Sequence, residues 1–98
     1  MERLRCGVIF LDGFLGHLAE RALERAGEDR VSTFEYIAFA EGPQAGQQFG
    51  RLGWTRAAGL PEECLFEVDG LTVCMSPQTQ EGLRDKWVDF KDGEIIVG

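Results

Sequence analysis

The chain has 98 residues, of which 44% are hydrophobic and 28% are charged, a balance typical of one folded domain and not of a disordered segment. Its net charge is −7, so neither a nucleic-acid partner nor an anionic membrane is expected, because both require a basic surface. The apolar run 6–11 is too short to span a bilayer and lacks a signal-peptide cleavage site, and three irregularly spaced cysteines fit a reducing compartment. We therefore expect one acidic, cytoplasmic domain over residues 1–98.

The first third of the chain predicts a strand followed by a helix. Residues 6–11 form the predicted strand, and Asp12 lies where a helix N-cap belongs. Apolar residues then recur at helical spacing until Gly27, and they are Leu15, Leu18, Ala19, Ala22, Leu23 and Ala26. His17, the only histidine, falls on the polar side of this helix, where a solvated surface position is favoured over a ligand or a base.

Two strands and a glycine-rich connection are predicted next. Residues 31–40 are rich in β-branched and aromatic side chains, and residues 49–56 predict the returning strand. The connection has no phosphate-binding motif. We favour a wide hairpin loop whose glycines permit tight turns, and the alternative is a binding loop with polar contacts. The residues of this candidate binding loop are Gly42, Pro43, Gln44, Gly46, Gln47, Gln48 and Arg51.

The clearest pattern is a β-hairpin over residues 64–75. Asp69-Gly70 is a favoured two-residue turn, because both of its positions need a positive φ. This turn places Val68 opposite Leu71 and makes one face of the hairpin entirely apolar. The apolar face holds Cys64, Phe66, Val68, Leu71, Val73 and Met75, and the other face holds Leu65, Glu67, Thr72 and Cys74.

The last third predicts a short helix and a second hairpin. Ser76 and Pro77 have the residue types of an N-cap and a first helical position, and Gly82 interrupts or ends the helix. Asp92-Gly93 predicts a turn between strands 87–90 and 94–97. Together the elements predict an α+β fold in which one longer helix and one short helix pack on a mostly antiparallel sheet.

The cysteines do not predict a shared metal site. Because side chains alternate across a strand, the hairpin register turns Cys64 and Cys74 to opposite faces, where they cannot bind one ion. Cys64 is expected to be a small buried hydrophobe. A structural role is also favoured for Cys74, with a reactive thiol or a ligand shared between two chains as the alternatives.

Residues 62–76 (EECLFEVDGLTVCMS) and 87–93 (WVDFKDG) resemble the second half of the HesB/IscA family of A-type iron–sulfur carriers. That family has an acidic lead-in, two strands around a DG turn, a short helix, and a strand with an aspartate between apolar residues. The preceding order of strand, helix and strand into a glycine-rich loop also fits. The resemblance covers residues 10–93 and implies a HesB-like fold.

The metal ligands of that family are missing at the matching positions. Its members bind iron or a cluster through a cysteine in the glycine-rich loop and two more in a C-terminal CGC tail, since a cluster requires thiolates. Here the loop reads GPQAG at residues 42–46, and no such tail precedes the end at Gly98. The resemblance thus implies a degenerate, non-enzymatic binding or accessory module, related to iron–sulfur cluster biosynthesis but without a cofactor.

Two other functions stay open at this point. One is a genuine iron or iron–sulfur carrier that uses other ligands, such as Cys74 across a dimer. The other is a small thiol-dependent enzyme that uses Cys74 or His17. A protein partner or a homodimer is compatible with each function, because Trp54, Trp87 and Leu65 are expected to be partly exposed.

Overall fold

The computed structural model describes all 98 residues, which form two α-helices and two four-stranded sheets. The first sheet has the strand order β1-β2-β7-β8, and the second has the order β4-β3-β6-β5. The elements are β1 Glu2–Arg3, β2 Ile9–Phe10, α1 Asp12–Glu24, β3 Arg30–Ala38, β4 Gln48–Arg56, β5 Leu65–Val68, β6 Leu71–Cys74, α2 Pro77–Leu83, β7 Trp87–Lys91 and β8 Glu94–Val97. Neither helix has the length and apolar character needed to cross a membrane.

Both sheets are mixed. The β2–β7 and β3–β6 pairs are parallel, and the remaining pairs are antiparallel. The predicted α+β class and the mostly antiparallel pairing are confirmed, but the prediction of a single sheet is wrong. Turn motifs specify pairing between neighbouring strands only, whereas the two parallel pairs join strands that are far apart in the chain.

The β5–β6 hairpin has the predicted register. Val68 pairs with Leu71 and Phe66 with Val73, and the backbone N–H of Met75 donates to the carbonyl of Cys64 at 2.8 Å. The turn residues Asp69 and Gly70 have positive φ values of 53° and 78°. Phe66, Val73 and Met75 are buried in the core. The apolar pattern and the turn specify the same register, which explains why the sequence sufficed here.

The core joins both sheets and both helices. Phe10 of β2 and Phe14 of α1 are in edge-to-face contact, with ring centroids 4.8 Å apart, and Phe14 lies 5.1 Å from Phe34 of β3. All three rings are fully buried. These aromatic contacts connect the first sheet to the second through α1, and they position α1 beside the strands that form the candidate site.

Helix α1 differs from its prediction at both ends. Leu11 is the N-cap and has no side-chain cap, while Asp12 is the first helical residue and pairs with the amino group of Met1. The predicted N-cap at Asp12 is therefore wrong by one residue. The helix ends at Glu24, and Leu23 is 77% exposed, because only the first half of the apolar stripe reaches the core.

Helix α2 begins as predicted. The Oγ of Ser76 accepts a hydrogen bond from the backbone N–H of Thr79 at 3.2 Å, and Pro77 is the first helical residue. The hydroxyl oxygen of Thr79 in turn accepts from the backbone N–H of Tyr36 at 3.3 Å. Helix α2 therefore completes the edge of β3 beyond the point where β6 ends.

The β7–β8 hairpin also has the predicted register. Val88 pairs with Val97 and Phe90 with Ile95, and the turn residues Asp92 and Gly93 have positive φ values of 52° and 80°. Phe90 and Ile95 are only half-buried, and they pack at the margin of the core. This margin forms one wall of the candidate site.

Candidate binding groove

A groove with a volume of about 620 Å³ lies between α1, β4 and the β7–β8 hairpin, and we call it the α1 groove. Its volume is within the range of small-molecule sites in proteins. Gly50 permits β4 to approach its neighbours here, since a Cβ at this position would lie 3.2 Å from side-chain atoms of both Ile95 and Phe34. The residues that line the groove are His17, Arg21, Gln48, Phe49, Gly50, Leu52, Phe90, Gly93, Glu94 and Ile95.

Arg21 of α1 is the central charged residue of the α1 groove. Its Nη2 donates to the carbonyl of Gly53 at 2.8 Å, and its guanidinium carbon lies 4.3 Å from the ring centroid of Trp54. Its Nε is enclosed and has no acceptor within the protein. Burial lowers the pKa of Arg21, and Glu24 partly opposes this effect. An enclosed donor without an acceptor costs about 1–3 kcal/mol of stability.

Arg21 forms no ion pair within the protein. The ion pairs of the protein involve Asp12, Glu28, Glu35 and Glu81, and none of these carboxylates pairs with Arg21. Arg21 is also the only arginine of the chain that is not exposed to solvent. The α1 groove therefore contains a half-buried positive charge that the fold itself does not neutralise.

His17 lies one helical turn before Arg21, on the same side of α1. Its imidazole stacks on the ring of Phe90, with the centroids 3.7 Å apart and the planes inclined by 3°. The side chain is thus half-buried in the wall of the α1 groove. The solvated surface position predicted from the sequence is therefore wrong. Together, His17 and Arg21 present two nitrogen-bearing side chains toward the space between α1 and β4.

The candidate binding loop is divided among three locations. Gly42 and Gly46 adopt positive φ at the exposed tip, and the backbone N–H of Phe39 donates to the carbonyl of Gln47 at 2.9 Å. Gln48 lies in the α1 groove, and its Nε2 donates to the carbonyl of Val97 at 3.3 Å. Arg51 pairs with Glu35 at 2.9 Å. Pro43 and Gln44 are exposed at the tip with the glycines, so the structure brings only Gln48 to the groove.

The cysteines are dispersed. All three are free thiols, and Cys64 is buried as predicted, while Cys74 is half-buried on the opposite face of the hairpin. Burial, with a smaller contribution from Cys64, raises the pKa of the Cys74 thiol. No group of three or more His, Cys, Asp or Glu side chains is arranged to hold a metal ion. Cys74 therefore belongs to no group of three or more potential metal ligands.

Apart from Gln48 and His17, the residues that form the α1 groove were not candidates from the sequence. His17 and Arg21 are four positions apart in a helix, which is the one local signal that they share a face. Nothing local brings Phe90 and Trp54 alongside them, because these aromatic residues come from strands far along the chain. The site depends on tertiary packing and not on a motif.

Comparison with known proteins identifies no relative. No family model matches the chain, and no curated protein or solved structure is significantly similar to it. The resemblance to the HesB/IscA family therefore rests on the sequence motifs alone.

Proposed function

We propose that the chain is a HesB-like binding or accessory module that holds no iron–sulfur cluster and acts through the α1 groove. The observation that carries this proposal is Arg21, a half-buried charge without a carboxylate partner in a groove of ligand size. Such a charge is unfavourable for folding, because the carbonyl of Gly53 and the ring of Trp54 replace only part of its lost hydration. A role in binding accounts for its position.

The order of elements supports the HesB-like part of the proposal. A strand, a helix, a hairpin around a glycine-rich loop, a DG hairpin, a short helix and a further strand follow one another, as the family resemblance implies. The positions of the cysteines support the absence of a cluster. Cys64 is in the core, and Cys74 is turned to the other face of the same hairpin.

Anaerobic incubation with ferrous iron and sulfide, followed by desalting and visible absorption spectroscopy, tests this proposal against the iron-carrier alternative. We expect the desalted protein to show no sulfide-to-iron charge-transfer band. A stable band that is lost in Cys74→Ser and kept in the matched control Cys6→Ser would contradict the proposal. Such a result would instead assign Cys74 as a ligand shared between two chains.

A further inference from the structure

We infer that the α1 groove binds a carboxylate carried on an apolar group, with the guanidinium of Arg21 as its counter-ion. This inference names the class of ligand for the groove, and it therefore rests on the proposed function. It is carried by the charge balance of Arg21, by the chemistry of the groove walls and by the geometry of the guanidinium group.

The charge balance of Arg21 differs from that of the other arginines. Arg25, Arg51 and Arg84 each lie within ion-pairing distance of a glutamate. The remaining arginines are exposed, so water solvates their charge. Arg21 has neither compensation, because it is half-buried, its Nε is enclosed without an acceptor and its Nη2 bonds only a neutral carbonyl. An anion in the groove would balance this charge, although it would not reach the enclosed Nε.

A carboxylate fits this position better than a phosphate does. A carboxylate oxygen can accept from the terminal N–H groups of a guanidinium, and its single charge balances a single arginine. Glu94 lies in the same groove and would repel a second negative charge. A phosphate, which carries more charge, would be opposed by that carboxylate.

The walls of the groove indicate an apolar substituent on the carboxylate. Leu52 and Ile95 line the groove together with Phe90, whose ring is already stacked on His17. The volume of about 620 Å³ exceeds what a carboxylate group alone occupies. Removing the apolar part of a ligand from water against these side chains adds to the attraction of Arg21.

Titration of ¹⁵N-labelled protein with three probes, followed by NMR, tests the inference. Phenylacetate has the charge and an apolar group, phenylacetamide has the same shape without the charge, and acetate has the charge alone. We expect phenylacetate to bind at least about tenfold more tightly than either of the other probes, the effect of removing one partly desolvated interaction. A separate titration with N-acetylphenylalanine distinguishes the two sources of such a ligand. Tighter binding of N-acetylphenylalanine than of phenylacetate would indicate the C-terminus of a peptide, and the reverse would indicate a small free acid.

Arg21→Gln is expected to weaken phenylacetate binding by about tenfold or more, and the matched control Arg84→Gln to change it by less than about twofold. Equal binding of phenylacetate and phenylacetamide would overturn the inference, as would unchanged binding by Arg21→Gln. If Arg21→Gln does not fold, the comparison of phenylacetate with phenylacetamide on the native protein still tests the inference. If phenylacetate does not bind and treatment with iron and sulfide forms no cluster, only this inference is overturned. If a cluster forms, the proposed function is overturned.

Discussion

Two hairpins of the second sheet differ in length, in connection and in environment. The β5–β6 hairpin has strands of four residues and a tight turn, and its inward side chains Phe66 and Val73 are buried. The β3–β4 hairpin has strands of nine residues, and near its tip Ile37 and Phe49 are 47% and 51% exposed. The short hairpin lies within the core, whereas the long one extends past it.

This difference shows how one sheet provides both stability and a site. In the short hairpin, the large inward side chains exclude water and specify the register. In β4 of the long hairpin, the inward-facing positions hold Gly50 and Leu52, and these residues line the α1 groove. The groove therefore lies where the long hairpin passes from the core to its exposed end.

Replacement of one phenylalanine by alanine in each hairpin should give the largest difference in stability. Phe66→Ala is expected to lower the free energy of unfolding by about 3–5 kcal/mol, because it removes a buried ring from the core. Phe49→Ala is expected to lower it by only about 1–2 kcal/mol, since half of that side chain is already in water and the rest contacts Phe39. Urea denaturation followed by circular dichroism measures both values, and similar losses for the two variants would contradict the comparison.

Loss of the α2 N-cap should have an intermediate effect. Ser76→Ala removes the acceptor for the Thr79 N–H and is expected to cost about 1 kcal/mol. Because Thr79 bonds the backbone of Tyr36, the Tyr36 amide of the long hairpin should also exchange its hydrogen faster. Gln78→Ala, at an exposed position of the same helix, is the control and should change neither quantity. An unchanged exchange rate of the Tyr36 amide in Ser76→Ala would show that this cap does not support the long hairpin.

The smallest effect concerns the outer face of the short hairpin. Burial raises the pKa of Cys74 above its ordinary value of 9.0, so little thiolate should form at neutral pH. In a Cys6→Ser background, the rate of alkylation by iodoacetamide should therefore reach half of its maximum above pH 9.0. Folding favours the neutral thiol of Cys74. The stability that this thiol contributes is therefore present below its pKa in the unfolded chain and is lost as the pH rises through its pKa in the folded protein. Rapid alkylation at neutral pH would instead support the thiol-enzyme alternative.

The sequence predicted local structure well and the site poorly. The turns at Asp69-Gly70 and Asp92-Gly93 and the cap at Ser76 were correct, because turn chemistry and side-chain alternation act over a few residues. The N-cap predicted at Asp12 was wrong, and the carboxylate of Asp12 instead forms an ion pair with the amino group of Met1. The alternative of a binding loop required its polar residues to converge, but Arg51 instead pairs with Glu35.

The division into two sheets and the α1 groove depend on long-range contacts. Parallel pairing of β2 with β7 and of β3 with β6 carries no signature in the individual strands. In the sequence, Arg21 directly follows Glu20 on α1, where an arginine is ordinary. Its environment becomes unusual only when β4 brings Trp54 and the carbonyl of Gly53 against it. Functional residues of this kind are visible only after the chain is folded.

The side-chain Nε–H resonance of Arg21 during titration with phenylacetate is the most direct test of the α1 groove as a binding site. We predict that this resonance and the indole N–H of Trp54 move with a common saturation curve, while the indole N–H of Trp87, which is outside the groove, stays in place. Movement of Trp87 or of the amides at the 42–47 loop tip, with the Arg21 resonance unchanged, would contradict this account.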